Sequence, residues 1–148
     1  MFQNIRIAVT GAQKLDSETR RDIKDKLGVD IFEGYGAAET SPVIAVNMPN
    51  ALDLDSMKIV VGNKDQSAGQ AILGTIIKIV DPLTYKTLKA DEDGLILVGG
   101  SQVMKGYLND PLKTNDAIIE IDGIRYYKTG DIGHMDKDGF ITIKTVFV

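Results

Sequence analysis

The sequence predicts an α/β fragment joined to a β-rich subdomain, the end of a parallel α/β layer followed by a distorted antiparallel β-barrel. Three observations lead there. Residues 1–47 run strand, helix, strand, loop, strand, an order that implies a parallel sheet. From residue 48 the pattern changes to β-branched runs punctuated by turn clusters, which are antiparallel signals. Asp122-Gly123 and Lys137-Asp138-Gly139 each stand between two such runs, and Asp-Gly suits the positive φ of tight hairpins.

In order along the chain, Ile5 to Val9 reads as a short buried strand and Thr10-Gly11-Ala12-Gln13 as the loop that leaves it. A helix follows, with Asp16 or Ser17 as N-cap, Ile23 and Leu27 on one face, and Gly28 where a helix-ending residue needs φ > 0. Val29 to Glu33 is the next strand, Gly34-Tyr35-Gly36 its exit loop, and Val43 to Val46 closes the unit. Pro49-Asn50 opens a polar, irregular stretch, so the division is set at 1–47, a partial α/β layer, and 48–148, a barrel-like subdomain. In the second part Lys58–Val61, Thr75–Val80 and Leu95–Val98 are strands, Ile118–Ile121 pairs with Ile124–Tyr127, and Ile132–Met135 pairs with Phe140–Ile143. Asp110-Pro111 is a cap and first-turn pair for one short helix over Leu112 to Ile118.

Composition narrows the function classes. The chain has 148 residues, 17 Lys plus Arg against 21 Asp plus Glu, and a net charge of −4, with the lysines scattered, which argues against nucleic acid as a partner. There is no cysteine, hence no disulfide frame and no thiolate nucleophile or metal site. No basic start precedes an apolar run and nowhere do ~18 apolar residues follow one another, so no signal peptide and no membrane span are expected, and the cytoplasm is the default location. One β-α-β unit is too little parallel sheet to cover both faces, and the chain stops in an apolar strand, so it is expected to be a piece of a larger protein.

Two stretches carry chemistry. In Gly34-Tyr35-Gly36-Ala37-Ala38-Glu39-Thr40-Ser41-Pro42 the glycines let backbone approach a ligand, Tyr35 offers a flat face to a purine, and Glu39 suits a hard cation such as Mg²⁺. The dinucleotide fingerprint G-x-G-x-x-G fails here, since Glu39 stands at its third glycine. In Tyr126-Tyr127-Lys128-Thr129-Gly130-Asp131 a strand runs into a tight turn whose carboxylate can accept hydrogen bonds from two vicinal hydroxyls. Taken singly, the first stretch reads sooner as a loop with turn glycines and a packed Tyr, and the second as an Asp in a β-turn.

Together these stretches resemble the adenylate-forming superfamily of acyl-CoA synthetases, luciferases and adenylation domains. Tyr35-Gly36-Ala37-Ala38-Glu39 resembles its Tyr-Gly-x-Thr-Glu loop, Gly106-Tyr107 with Thr114 its Gly-Tyr segment and following Thr, and Tyr127-Lys128-Thr129-Gly130-Asp131 its Tyr-Arg-Thr-Gly-Asp loop, in the same order. The stretches around Gly11-Ala12-Gln13-Lys14-Leu15, Thr40-Ser41-Pro42-Val43 and Ile132-Gly133-His134-Met135 look most like the acyl-[acyl-carrier-protein] synthetase part of bacterial 2-acylglycerophosphoethanolamine acyltransferases.

The resemblance implies a ligase that activates a fatty carboxylate with ATP as an acyl-adenylate and passes it to a thiol, on acyl carrier protein or CoA, in phospholipid acylation or fatty-acid metabolism. The full-length protein would then work in the cytoplasm or at the inner face of a membrane. It implies that Tyr35 stacks on adenine with Gly34 and Gly36 beside it, and that Glu39 serves catalysis through Mg²⁺. Asp131 would hold the ribose, and Gly11, Ala12 and Thr40 would line the ATP/AMP and acyl-adenylate site. Ala38 departs from the family's Thr, which contacts the α-phosphate. The phosphate loop and the mobile C-terminal Lys are not recognisable in the chain, so the isolated polypeptide is expected to be inactive. Two alternatives stand beside this reading: a non-catalytic β-rich binding module of the same descent, and an amino-acid adenylation domain, for which no amine-anchoring Asp is visible. His134 reads as a surface residue, Asp91-Glu92-Asp93 as a solvated turn, and Met104 and Tyr107 as packing against the barrel.

Overall fold

The computed structural model describes residues 4–5, 7–11 and 15–145. Strand β1 (Ala8–Thr10), helix α1 (Ser17–Leu27) and strand β2 (Ile31–Gly36) form a parallel crossover, with Ala8 opposite Ile31 and Thr10 opposite Glu33. The Asp16 carboxylate accepts the Thr19 N–H at 2.8 Å and so caps α1, while Gly28, at φ 69°, ends it with its N–H on the Lys24 carbonyl. β2 runs further than the sequence pattern indicates, taking in Gly34-Tyr35-Gly36, which was expected to be loop.

The expectation of a parallel sheet holds for β1 and β2 and fails at β3 (Val43–Val46), which lies antiparallel to β2 with Tyr35 opposite Ala45. The cause is length. Six residues, 37–42, separate the two strands, whereas a parallel return takes a dozen or more. Strands β4 (Ala51–Asp53) and β5 (Lys58–Val60) make a separate hairpin, and β6 (Gln70–Ala71) adds itself to β3, giving the order β1-β2-β3-β6.

The remaining elements are β7 (Thr75–Val80), β8 (Gly94–Gly100), α2 (Pro111–Ala117), β9 (Ile118–Ile121), β10 (Ile124–Met135) and β11 (Ile141–Thr145). They form an antiparallel sheet in the order β11-β10-β8-β7, with β9 on the first part of β10. The predicted hairpin turns are present: Asp122 and Gly123 both have positive φ (53° and 76°), and Gly139 has φ 84°. Ile124–Tyr127 and Ile132–Met135, expected as separate strands, are the two ends of the single bent strand β10. Its register on β8 shifts between Lys128 and Ile132, where Gly130 takes φ 81°, so Thr129-Gly130-Asp131 bulges out of the ladder.

The two sheets share one core. Ile44 and Ala45 of β3 pack with Ile79, Ile96, Val98 and Ile141 of the second sheet, five of the six fully excluded from solvent and Ile79 nearly so. Backbone bonds Ala68 N–H to Ile141 C=O (2.8 Å) and Ile141 N–H to Gly69 C=O (2.9 Å) tie the sheets edge to edge. This junction sets the Gly34–Glu39 segment against the bulge in β10. Among the described residues no helix is long and apolar enough to cross a membrane.

Candidate functional site

The end of β2 forms one wall. Gly11, Gly34, Tyr35 and Gly36 line one groove of about 290 Å³ with Val9 and Val43. Of the residues expected at the nucleotide, these four are therefore brought together, while Ala12 lies outside the described residues. Gly36 is required by space: a Cβ there would sit 2.1 Å from the Pro42 carbonyl oxygen. The loop beyond it is closed by Ala37 N–H on Pro42 C=O at 2.8 Å and by the Thr40 hydroxyl, which reaches the Ala37 and Pro42 carbonyls at 2.9 and 3.1 Å. Thr40 was expected to line the nucleotide site, but it is fully buried with its hydroxyl turned into its own loop. Its observed work is to hold the short 3-10 turn Ala38–Thr40 in shape.

The β10 bulge meets the end of β2 through a hydrogen bond. The Tyr35 hydroxyl donates to Asp131 Oδ2 at 2.5 Å, joining two motifs 96 residues apart. The bulge is fixed from behind, because the Asp131 N–H donates to Thr129 Oγ1 (3.0 Å) and that hydroxyl donates to the Ile96 carbonyl (2.9 Å). Burial pushes the Asp131 carboxyl above the usual carboxylate range, against the opposing pull of the Tyr35 bond. Burial and then Asp131 drive the Tyr35 phenol far above its ordinary value, so Tyr35 keeps its proton and is the donor of the pair.

Glu39 completes the site from the 3-10 turn. Its carboxylate accepts the Tyr107 hydroxyl at 2.7 Å, and its backbone carbonyl accepts the Met104 N–H at 2.8 Å. The Tyr107 bond chiefly holds Glu39 below its ordinary value and keeps it charged. The same carboxylate pushes Tyr107 up to about 12, and burial, followed by Glu39, pushes Tyr127 up to about 12. Tyr107 thus does more than pack against the barrel. Its N–H donates to Thr114 Oγ1 (2.8 Å), the Thr114 hydroxyl donates to the Asp110 carbonyl (2.8 Å), and Lys113 Nζ lies 4.2 Å from its ring centre. The sequence did hold the signal, the seven-residue interval from Tyr107 to Thr114. Lys113 carries no comparable signature.

Thr114→Val removes the acceptor of the Tyr107 N–H while keeping the shape of the side chain. It is expected to lower stability by about 1–2 kcal/mol, measured as a shift of the urea midpoint.

Among the described residues no three His, Cys, Asp or Glu side chains group as metal ligands. A single carboxylate nevertheless suits Mg²⁺, which is commonly held by one or two carboxylates together with water and substrate phosphates. His134 is partly buried, with Nδ1 2.6 Å from Asp93 Oδ1, so it serves to fasten the turn after β7 to β10.

The family model for AMP-binding enzymes matches residues 1–108. The chain is similar to 4-coumarate-CoA ligase 1 of Narcissus pseudonarcissus, 33% identical over 143 residues that cover 96% of this chain and 24% of the relative. Among solved structures it superposes on MatB from Rhodopseudomonas palustris with TM-score 0.75 and 30% identity, covering 93% of this chain and 25% of that one. A long-chain-fatty-acid-CoA ligase from Archaeoglobus fulgidus gives TM-score 0.80 at 19% identity, over 97% and 29% of the two chains, a likeness of fold. The chain spans about a quarter of the length of the curated relatives it matches. With the family model covering most of its length, and the glycine-tyrosine strand and the Asp131 bulge meeting in one site, this chain belongs to the AMP-binding enzymes.

Proposed function

We propose that this chain supplies the nucleoside-facing part of an ATP-dependent acid–thiol ligase. Residues 1–47 contribute part of the α/β layer of the large adenylating domain, and 48–148 its barrel-like subdomain. In the first half-reaction a carboxylate oxygen attacks the α-phosphorus of ATP, forming acyl-adenylate and releasing pyrophosphate. In the second a thiol attacks the acyl carbon and AMP leaves. CoA is the thiol favoured by the names of the relatives. The finer reading, a fatty carboxylate delivered to acyl carrier protein in phospholipid or fatty-acid metabolism, is supported by the stretches around Leu15, Pro42 and His134 alone.

The observation that carries the proposal is the Tyr35–Asp131 hydrogen bond. It holds a flat aromatic and a carboxylate side by side, as a nucleoside requires: adenine on the Tyr35 ring, the ribose hydroxyls on Asp131. Gly34 and Gly36 keep the strand edge free of side chains beside the base, and Gly11 borders the same groove. Thr40 acts through the shape of its loop. Glu39, charged and held by Tyr107, is the residue that would hold Mg²⁺, which when bound neutralises charge on the phosphates. Ala38 offers no hydroxyl to the α-phosphate. A non-catalytic module would need none of these groups aligned.

Stacking of an aromatic on a base is worth ~1–3 kcal/mol and a hydrogen bond to a charged group ~1.5–3 kcal/mol, so once association entropy is set against them AMP is expected to bind toward the millimolar end. In an NMR titration AMP should shift the amides of Tyr35, Gly36 and Asp131 together. If AMP moves none of them, the nucleoside reading fails. Pyrophosphate release from ATP and a fatty acid by the 148-residue chain is expected to stay at background, because no phosphate-loop lysine is recognisable in it.

A further inference from the structure

The side of the site formed by α2 and the turn before it has no part in nucleoside binding, yet it is built as carefully as the groove. One phenol grips Glu39, and two further groups hold that phenol in place. The Tyr107 hydroxyl reaches Glu39 Oε1 at 2.7 Å. Lys113 caps the Tyr107 ring at 4.2 Å, and Thr114 fixes the Tyr107 backbone at 2.8 Å. Gly106, at φ 157°, leaves room for that clamp, because a Cβ there would come within 2.7 Å of the Thr114 methyl. Such bracing of one carboxylate that makes no salt bridge among the described residues calls for a purpose beyond packing.

We propose that Tyr107, steadied by Lys113, is a positioning residue for Glu39: it fixes the carboxylate so that the nucleotide-bound divalent cation meets an oriented ligand. The inference rests on the reading of Glu39 given above and extends it to residues in a different motif. Ring and ammonium act in sequence. The Lys113 charge over the ring face holds the ring plane, the ring plane sets the hydroxyl, and the hydroxyl occupies one position on Glu39. A carboxylate left to rotate would have to be ordered each time the cation arrives, and the cation's contribution to nucleotide affinity would fall by that ordering cost.

The test compares ATP affinity of the full chain with Mg²⁺ and with EDTA, by calorimetry, and takes the ratio of the two dissociation constants. Tyr107→Phe keeps the ring over which Lys113 sits and removes only the hydroxyl. It is expected to lower the ratio about 10-fold, the scale seen when an outer partner of a metal ligand is lost, with the EDTA value unchanged. Lys113→Met should lower the ratio about 2- to 5-fold, and Lys113→Arg, which keeps a cation over the ring, should restore it. A merely structural role for Tyr107 would weaken ATP binding equally with and without metal, and that result overturns the proposal. So does an unchanged ratio in Tyr107→Phe, or an Arg variant that behaves like Met. If the wild-type chain binds ATP with no help from Mg²⁺, the Glu39 assignment falls and takes this inference with it. If it binds no nucleotide at all, the nucleoside reading itself is wrong.

Discussion

Gly36→Ala is expected to cost about 3 kcal/mol or more in stability and to remove the AMP-induced amide shifts of Tyr35 and Asp131 together. The new methyl carbon would stand 2.1 Å from the Pro42 carbonyl oxygen and 2.9 Å from its carbon, both backbone atoms that cannot swing away as a side chain would. Relief requires β2 and β3 to separate where Gly36 faces Val43, and separation breaks the Ala37 N–H to Pro42 C=O bond that closes the loop. Overpacking costs ~1–3 kcal/mol and occasionally more, and the lost backbone bond adds about 1 kcal/mol. Gly34→Ala provides the comparison, since its Cβ would meet the Val9 side chain at 3.2 Å, a contact that a rotamer change relieves. It should cost less than about 1 kcal/mol and leave the AMP shifts in place. Equal losses in the two variants, read from urea midpoints, would show that the close approach at Gly36 is not what shapes the loop.

That contrast also marks what the sequence could convey. Gly34 and Gly36 stand out on the page as a pair, and only the packing of Pro42 separates the indispensable one from the tolerant one. Local signals were legible wherever residue chemistry fixes the backbone: the Asp16 cap, the Gly28 stop, the Asp122-Gly123 turn and the Asp110-Pro111 helix start all form where propensity puts them. Strand direction at β3 is not legible in the apolar runs on either side of its loop, which do not state their pairing. The loop's length did, since six residues are too few for a parallel return.

In sequence the bulge at Thr129-Gly130-Asp131 is indistinguishable from a turn between two strands, because a glycine flanked by a hydroxyl and a carboxylate looks the same in either. Only the continued pairing of β10 with β8 on both sides of it shows one bent strand. At the site, Tyr35, Asp131 and Glu39 came from motif resemblance, which carries position but not partners. Thr40 shows the same limit: the sequence shows its hydroxyl but not its partners, and in the fold it is buried and bonded to its own loop. For Tyr107 the interval to Thr114 is legible, but nothing in the chain's order announces that its hydroxyl reaches Glu39, 68 positions away.

Asp131→Asn separates function from stability in the opposite way to Gly36→Ala. Asp131 is 7% exposed, and burial raises its folded-state pKa above the ordinary 3.8 despite the Tyr35 bond. The folded protein therefore holds the Asp131 proton to a higher pH than the unfolded chain does. As pH rises from near 3.8 through the raised folded value, stability falls, and at neutral pH the ionised carboxylate is a net cost to the fold. Asparagine carries no charge and still presents an oxygen to the Tyr35 hydroxyl. Asp131→Asn is expected to keep or raise Tm at pH 7, with the gain shrinking in acid as the native carboxyl takes up its proton. Nucleotide affinity should move the other way. Replacing a carboxylate that accepts from two ribose hydroxyls forfeits roughly 1.5–3 kcal/mol, so AMP should weaken about 10- to 100-fold. The ligand 2′,3′-dideoxy-AMP, which has no hydroxyls to lose, should bind wild type and variant alike. A variant that loses Tm and affinity together would make Asp131 a structural residue of the bulge. One that weakens both ligands equally would place the carboxylate's effect somewhere other than the ribose.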